Sequence, residues 1–390
     1  MTPSIPDPTT CSIRVLQYRD LEAIAALAAE VSALESDCCV TGHLESRLPE
    51  LRRWSGALQV LSVLPDSARQ HLGVYVAECD RQIVGAIAVE PTNTPRTTWR
   101  VQQVLAAHSA TLSAQEIGSQ LLRHCLEKIW EARTWMVEAN VHHQQLQGLY
   151  RRGGFQPLAQ FTYWDIDIKS LQQLAERDPQ LPNLHPASSN EARLLYQLDT
   201  VSMPPLLRQV FDRHVDDFKL SFWRSLRESC DRWFGPTNCI RAYVFEPQRK
   251  AAIGYFCLQI ARHGQSPHQA HLVVHPAYTW LYPELFAQMA RAVWGFPAQS
   301  LQLRSADYQP EREEYLERIG AEPMERTLLM SRSVWHKLRE AKPLERLQLS
   351  GVLQSLQPNR PPIPSRFSAI ESTATQPDPS DSPESPKRPG

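Results

Sequence analysis

Several side chains in the first half of the chain have the chemistry to move a proton. Glu138 in WMVEANV and Glu90 in AIAVEP are carboxylates on predicted strands, so either could face a cleft and act as a general base. His143 follows the strand of Glu138 and could contact a substrate or serve as the base. Tyr150 ends a predicted helix in LYRRGGFQP. Each also has a structural interpretation: solvent-facing strand carboxylates, a polar residue at a helix start, and a core aromatic at a helix end.

The segment around Tyr150 recurs downstream. LYRRGGFQP and YLERIGAEP align without a gap. In this alignment Arg152 corresponds to Arg318, and Tyr150 corresponds to Leu316. We interpret this repeat as a tandem duplication in which only the first copy keeps the tyrosine at that place.

Turn signals and apolar spacing predict the same element order in both halves, β-α-α-β-β-β-α-β-α-β in the first. In the first half two β-rich runs flank CDRQ, residues 40–70 are predicted helical, and SAQEIGSQLLRHCLEKIWEA is an amphipathic helix. In the second half a capping-box pattern at Ser188 and Glu191 starts a helix, and FDRHVDDFKLSFWRSLRESC predicts another. The charged helix EREEYLER is predicted to form a solvated face.

These patterns divide the chain into six parts. They are a disordered N-terminus (1–10), a first domain (11–168), a linker (169–187), a second domain (188–335), a helical extension (336–356) and a disordered Pro/Ser-rich tail (357–390). The tail has almost no large apolar residues, so it cannot bury enough surface to offset the entropy of ordering. We expect the second domain to pack against the first or to shape a cleft with it, and the oligomeric state stays open.

Composition narrows the class of protein. The chain has 390 residues, 42% of them hydrophobic, and a formal net charge of −1. This near-neutral balance disfavours a nucleic-acid-binding protein. No apolar run approaches the roughly 18–20 residues that span a bilayer, and the first residues lack a signal-peptide pattern. We therefore expect a cytoplasmic protein without a nucleic-acid or membrane partner.

The cysteines and histidines do not predict a metal site. Eight cysteines are scattered without a CxxC pair, and several lie in apolar runs. They are predicted to be buried, reduced thiols. The adjacent His142 and His143 have no partner at a ligand spacing, so we expect no metal cofactor.

The element order and the LYRRGGF ending together resemble the GNAT family of acetyl-CoA-dependent N-acyltransferases. In that family a strand leads into a helix that ends roughly in L-Y-x-x-x-G-F. The resemblance covers most of residues 11–168 and, more weakly, 185–335. It implies an α/β fold with a mixed sheet, here as two tandem acyl-CoA N-acyltransferase-like domains.

The resemblance also implies roles for residues. Acetyl-CoA, the acyl donor, would lie between two splayed strands, with its pantetheine arm along WRVQQVL at Val104 and Leu105. Its pyrophosphate would bind at the start of the following helix, and Tyr150 would protonate the departing thiolate. A phenol suits that step because its pKa lies above that of a thiol. The implied phosphate contacts are Ser113, Gln115, Ile117, Gly118, Ser119 and Gln120.

The phosphate-binding signature of the family, R/Q-x-x-G-x-G/A, is degenerate here. The matching stretch is SAQEIG, in which Ser113 and Glu116 replace the basic or amide residue and the first glycine. The same residues form a capping-box pattern, so the helix could cap itself with the carboxylate where a phosphate would bind. The second copy, HPAYTWLYPELF, has no glycine, and Pro283 removes an N–H.

Two functions follow from these patterns. The first is an acyl-CoA-dependent N-acyltransferase with its site in the first domain, acting on an unidentified small-molecule or protein amine. The alternative is a catalytically inactive GNAT-like binding or regulatory protein. The LYRRGGF ending favours the enzyme, whereas the degenerate phosphate loops favour the alternative.

Overall fold

A computed structural model of the protein describes residues 11–33, 73–109, 111–219, 237–264 and 266–334. These residues all belong to one compact unit. The predicted disordered N-terminus, the helices predicted over 40–70, the helical extension and the tail lie outside the described residues. No helix in these ranges is long and apolar enough to cross a membrane.

The elements of the first half follow the predicted order. In chain order they are β1 (Ser12–Val15), α1 (Leu21–Ala33), β2 (Gly73–Cys79), β3 (Gln82–Pro91), β4 (Thr98–Ala106), α2 (Ala114–Lys128), β5 (Thr134–Asn140), α3 (Gln144–Arg152) and β6 (Gln156–Ile166). The hairpin predicted at CDRQ is confirmed, because Asp80 and Arg81 form its turn with positive φ values of 50° and 66°.

The second half repeats this order after an additional helix. Its elements are α4 (Ile168–Ala175), β7 (Leu184–Pro186), α5 (Ala192–Ser202), α6 (Pro205–Phe211), β8 (Thr237–Glu246), β9 (Ala251–Ala261), β10 (His268–Val274), α7 (Leu281–Val293), β11 (Leu301–Ala306), α8 (Pro310–Arg318) and β12 (Glu322–Ser333). The expected linker, 169–187, thus carries most of α4 and all of β7. Asp167 caps α4, whose Leu171 and Leu174 pack in the core shared with α7.

One predicted helix is wrong where the structure describes it. FDRHVDDFKLSFWRSLRESC was expected to be helical from Phe211, but α6 ends there because Asp212 adopts the left-handed conformation, with a φ of 44°. Residues 215–218 form a short 3-10 helix instead, and the Asp217 carboxylate accepts the His214 N–H at 2.7 Å. The capping box predicted at Ser188 and Glu191 is confirmed.

The twelve strands of the described residues form one sheet, in the order β1-β2-β3-β4-β5-β12-β6-β11-β10-β9-β8-β7. The pairs β4–β5 and β10–β11 are parallel, and all other neighbours are antiparallel. The two halves exchange their last strands. β12 of the second half lies beside β5 of the first, and β6 of the first half lies beside β11 of the second.

The register of this exchange follows the sequence repeat. Phe161 pairs with Thr327, and these residues are separated by the same offset that aligns Arg152 with Arg318. Thr327 also faces Asn140 while Phe161 faces Ala306, and these two partners are again separated by that offset. Equivalent positions of the two copies therefore occupy equivalent places in the sheet.

Helices cover both faces of the sheet. The front face carries α2, α3, α7 and α8, which pack on alternating strand residues such as Val137 and Leu303. The back face carries α1, α5 and α6. The α6 segment also ties the halves together, because Thr97 Oγ1 donates to the Asp212 carboxylate at 2.6 Å and Thr98 Oγ1 donates to the Val210 carbonyl at 3.0 Å.

The prediction that every cysteine is reduced is wrong at one edge of the sheet. Cys11 and Cys79 form a disulfide between the residue before β1 and the end of β2, with Cα atoms 4.8 Å apart. The antiparallel pairing of β1 with β2 places these two residues opposite each other. Cys125, Cys239 and Cys257 form no disulfide; Cys125 is buried as predicted, whereas Cys239 and Cys257 are half-buried.

Candidate functional site

The parallel strands β4 and β5 diverge and leave a gap in the sheet. They pair over residues 98–101 and 134–137 and no further. A bulge follows at once, because Val89 pairs with Val101 and Ala88 pairs with Gln103, which leaves Gln102 as the additional residue. Bulges turn backbone groups out of the ladder. Val104 and Leu105, on the β4 segment beside the gap, are therefore unpaired with β5, although both residues are buried.

The start of α2 lies after β4 and is capped by its own side chains. Ser113 Oγ accepts the Glu116 N–H at 3.3 Å, and the Glu116 carboxylate accepts the Ser113 N–H at 2.8 Å. These hydrogen bonds from Ser113 hold the pKa of Glu116 below its ordinary value. The capping-box interpretation of SAQEIG is confirmed, and a carboxylate occupies the helix end that the resemblance gives to a pyrophosphate.

The N–H groups left at this helix end are not the ones that we expected. Ile117 N–H donates to the Ser113 carbonyl at 3.1 Å, and Gly118 and the residues after it lie inside the helical ladder. The donors without an intrahelical acceptor are therefore those of Ala114 and Gln115. Gly118 has a packing role, since a Cβ there would lie 3.2 Å from Leu149 of α3.

The other predicted cofactor contacts have local partners or buried side chains. Ser119 Oγ donates to the Gln115 carbonyl at 2.7 Å. The side chains of Val104, Leu105 and Ile117 are buried. Because these exposed fractions, 0%, 3% and 0%, cover whole residues, the backbone atoms of the three residues are also closed to solvent.

Tyr150 lies on the front face, inside the apolar core that α2 and α3 form on the sheet. Its side chain is 0% exposed, and its ring packs edge-on against Phe155 at 5.7 Å between centroids. This environment fits the core-aromatic interpretation. A role as acid requires a thioester that enters the gap far enough to reach the hydroxyl.

Glu138 projects from the back face, between the front-face residues Val137 and Ala139. Its Oε1 accepts hydrogen bonds from Tyr163 Oη of β6 and Thr327 Oγ1 of β12, both at 2.6 Å. Arg304 Nη1 of β11 lies 3.8 Å from Oε2. Glu138 and Arg304 occupy equivalent positions in the two copies of the repeat. The strand exchange brings these two positions together, and one copy has an acidic residue there while the other has a basic one.

This environment makes Glu138 a weak base. Burial would raise its pKa, but the Arg304 guanidinium and the hydrogen bonds from Thr327 and Tyr163 hold the pKa below its ordinary value. Burial and the adjacent carboxylate raise the pKa of Tyr163, so this phenol stays a hydrogen-bond donor. Arg100 of β4 adds a second buried cation, and its Nε has no acceptor in the described structure.

The sequence-predicted site residues do not form one cluster. Tyr150 lies on the front face and Glu138 on the back face, so the sheet separates them except through the gap. His143 is the N-cap residue of α3, where its exposed side chain makes no capping hydrogen bond. At the exit of β5 the Asn140 amide donates to Glu325 Oε1 at 2.7 Å.

The second half has the corresponding gap, and a side chain closes it. β10 and β11 pair at three positions, from His268 with Leu301 onward, and then diverge. Arg312 of α8 lies across the opening. Its Nη2 donates to the Leu272 carbonyl of β10 at 2.8 Å, and its Nη1 donates to the Arg304 carbonyl of β11 at 3.2 Å.

Sequence reasoning missed Arg312. It was expected on the solvated face of EREEYLER, yet it is 3% exposed, and Tyr315 of the same helix is also buried. The repeat offset places Leu146 of α3 at the equivalent position, and Leu146 is 1% exposed. The repeat alignment did indicate that Arg312 is buried, because it aligns this arginine with the apolar Leu146 of the first copy.

No potential metal centre accompanies these sites among the described residues, where no three His, Cys, Asp or Glu side chains cluster.

Comparison with known proteins supports the resemblance. The family model for the acetyltransferase (GNAT) domain matches residues 59–157. The matched segment contains the gap between β4 and β5, the self-capped helix α2 and Tyr150 of α3. A search among curated protein sequences found no match.

Two solved structures share the fold over most of the chain. A GCN5-related N-acetyltransferase from Sphaerobacter thermophilus has a TM-score of 0.50 and 14% identity, covering 85% of this chain and 97% of that one. A tandem GNAT protein from the clavulanic acid biosynthesis pathway, in a structure without AcCoA, also has a TM-score of 0.50 and 14% identity, covering 83% and 98%. The predicted fold class, a mixed α/β sheet of the tandem GNAT-like type, is confirmed.

Proposed function

We propose, from the GNAT-domain match over residues 59–157, that this protein is an acyl-CoA-dependent N-acyltransferase whose donor site lies in its first half. The observation that carries the location is the contrast between the two gaps. Arg312 bridges the backbones of the second gap, whereas the equivalent Leu146 has no group that can donate a hydrogen bond. We attribute this contrast to a tandem duplication after which one copy kept the open gap.

The pantetheine arm would lie in the gap between β4 and β5, along the β4 residues that β5 leaves unpaired. The thioester then lies between the two faces of the sheet, with Tyr150 in front and the polar residues around Glu138 behind. The acceptor amine attacks the carbonyl carbon from the back face, a C–N bond forms and the C–S bond breaks. The thiolate takes the Tyr150 proton, and the proton lost by the amine passes through water to restore the phenol.

The end of α2 fits a pyrophosphate less well than the gap fits pantetheine. Two backbone donors, from Ala114 and Gln115, point out of the helix, but the Glu116 carboxylate lies beside them. Like charges close together repel, so we infer that Glu116 weakens donor binding. Glu116 thereby makes this helix end the part of the proposal that is easiest to test.

Replacing Glu116 with Gln is expected to strengthen acetyl-CoA binding by roughly fivefold at low ionic strength, because it removes one charge next to the phosphates. Gln keeps the acceptor oxygen for the Ser113 N–H, so the capping box can persist. The measurement is calorimetric titration of acetyl-CoA into the full chain. Glu127→Gln, an exposed carboxylate near the other end of α2, is the matched control and should leave the affinity unchanged.

Equal affinities in the natural protein and Glu116→Gln would show that the phosphates do not bind at the start of α2. Absence of binding in both proteins would contradict the transferase. A non-catalytic GNAT-like protein would then remain as the interpretation.

Replacing Tyr150 with Phe is expected to lower kcat by about 100-fold while the KM for acetyl-CoA stays unchanged, because only the proton donor is lost. The assay is release of free thiol from acetyl-CoA with a panel of amines. Tyr315→Phe is the control, since its hydroxyl is buried in the second half and has no hydrogen-bond partner among the described residues. A kcat that is the same in both variants would assign Tyr150 to the core alone.

A further inference from the structure

The second half has a polar pocket behind its closed gap, on the back face of the sheet. The pocket has a volume of about 50 Å³ and lies where β10 and β11 diverge. The α5–α6 region and the start of α8 complete its wall. Its ionisable lining residues are Asp199, Arg213, His271, Arg304, Tyr308 and Arg312. We call this set the back-face pocket.

The back-face pocket has more positive charge than its own carboxylate can balance. Its lining has three arginines and one aspartate. Arg213 Nη1 pairs with the Asp199 carboxylate at 2.6 Å, which leaves Arg304 and Arg312 to other partners. Buried charges without a counterion are costly, so an anion in the pocket would stabilise the folded protein.

The nearest partners of the two remaining arginines include uncharged groups, the Tyr163 hydroxyl and the Phe161 ring for Arg304 and the Tyr282 hydroxyl for Arg312. Arg304 is 3.8 Å from Glu138, a carboxylate that already accepts two shorter hydrogen bonds. The Arg304 side chain is 29% exposed although protein surrounds its guanidinium, as expected of a group that lines a concavity. Arg312 donates to the two carbonyl groups described above and lies over the Tyr282 ring, and its buried Nε has no acceptor in the described structure.

The other lining residues suit a small anion. The surrounding protein, and after it Arg304, Arg213 and Arg312, lower the pKa of His271 below its ordinary value, although part of the residue is exposed. The imidazole is therefore neutral at pH 7 and adds no charge. Burial raises the pKa of Tyr308, so its hydroxyl remains a donor. Phe161 and Phe211 form an apolar part of the wall.

We propose that the back-face pocket binds a small molecule through one carboxylate or phosphate group, held by Arg213, Arg304 and Arg312. Guanidinium groups bind both oxyanions with paired hydrogen bonds, which is why either chemistry fits. The small volume limits the bound part to a single compact anionic group. This pocket lies where β10 and β11 diverge and not at the start of α2 where the donor phosphates are proposed to bind, although Arg304 also contacts Glu138.

The test is titration of the full chain with inorganic phosphate and, separately, with butanoate, followed by calorimetry against sodium chloride of equal ionic strength. We expect saturable binding of at least one probe. Binding of phosphate alone would identify a phosphoryl ligand, and binding of butanoate alone would identify a carboxylate ligand. Binding of neither probe beyond the chloride control would overturn the proposal.

The variant Gln309→Glu tests whether the probes bind in the back-face pocket. Gln309 lines the pocket at the N-cap of α8, where a carboxylate is compatible with the helix end. The added charge should weaken probe binding at least tenfold. Arg291→Gln, which breaks an exposed ion pair with Asp178, is the control and should leave probe binding unchanged.

Probe binding that Gln309→Glu leaves unchanged would put the anion elsewhere and contradict the proposal. If Gln309→Glu does not fold, Arg213→Gln carries the same test, because it removes one of the three guanidinium groups. Acetyl-CoA titrations of the same variants separate this site from the donor site, since neither residue lies near the start of α2.

Discussion

Replacing Glu138 with Gln should lower the free energy of unfolding by about 3 kcal/mol, because it leaves the Arg304 and Arg100 guanidinium groups without their shared counterion. Gln keeps an oxygen for Thr327 and Tyr163, so the loss measures charge rather than hydrogen bonding. The value is at the low end of the range for buried pairs, since Arg304 keeps some contact with solvent. Chemical denaturation at pH 7 measures it.

The effect of Glu138→Gln should also depend on pH in a defined direction. The folded-state pKa of Glu138 lies below its ordinary value, so its contribution is present above the unfolded pKa of about 4.3. That contribution is lost as the pH falls through the folded-state pKa. The difference between the natural protein and the variant should therefore shrink on acidification below about pH 4.

Glu131→Gln is the matched control for Glu138→Gln. Glu131 pairs with Arg96 at 2.7 Å, a shorter distance than Glu138 has to Arg304, but the Glu131 side chain is 33% exposed and that of Glu138 only 14%. Its loss should change the free energy of unfolding by less than about 1 kcal/mol. Equal losses in the two variants would contradict the conclusion that Glu138 is a buried counterion of the sheet centre.

Replacing Arg312 with Leu, the residue at the equivalent place in the first half, should lower the free energy of unfolding by about 2 kcal/mol. The carbonyls of Leu272 and Arg304 lose their donors, and each unsatisfied buried group costs on the order of 1–3 kcal/mol. Better burial of an apolar side chain offsets part of this cost. Thermal unfolding of the full chain measures the change.

Arg318→Leu, on the same helix, is the control for Arg312→Leu. Arg318 forms an exposed pair with Glu314 at 3.0 Å, so its removal should cost no more than about 0.5 kcal/mol. Acetyl-CoA affinity should be unchanged in both variants. If Arg312→Leu is as stable as the natural protein, Arg312 is not the bridge that closes the second gap.

The order of the elements was predictable because each element has a local signal. The hairpin at Asp80 and Arg81, the capping box at Ser113 and Glu116, and the apolar spacing of α2 all act over a few residues. Local signals of this kind do not depend on which strand finally lies beside which.

The strand exchange was not predictable, because no local signal determines which strands become neighbours in the sheet. β6 and β12 arise from the same repeat and have similar alternation, so either could complete either half of the sheet. The pair of Glu138 and Arg304 exists only once the exchange has been made, and the sequence showed these residues as an isolated carboxylate and an isolated cation. Arg312 was misjudged because the charge pattern of one helix does not reveal what packs on it.

The position of β12 also determines when the first half can finish folding. β12 fills the place beside β5, but it is made almost two hundred residues after β5 during synthesis. Until β12 leaves the ribosome, β5 has an open hydrogen-bonding edge, and edges of this kind invite pairing with other chains. The nascent protein therefore has to keep its proposed donor half unfinished until nearly the whole described chain exists. Cutting the gene between the repeats would leave two fragments, each without its closing strand.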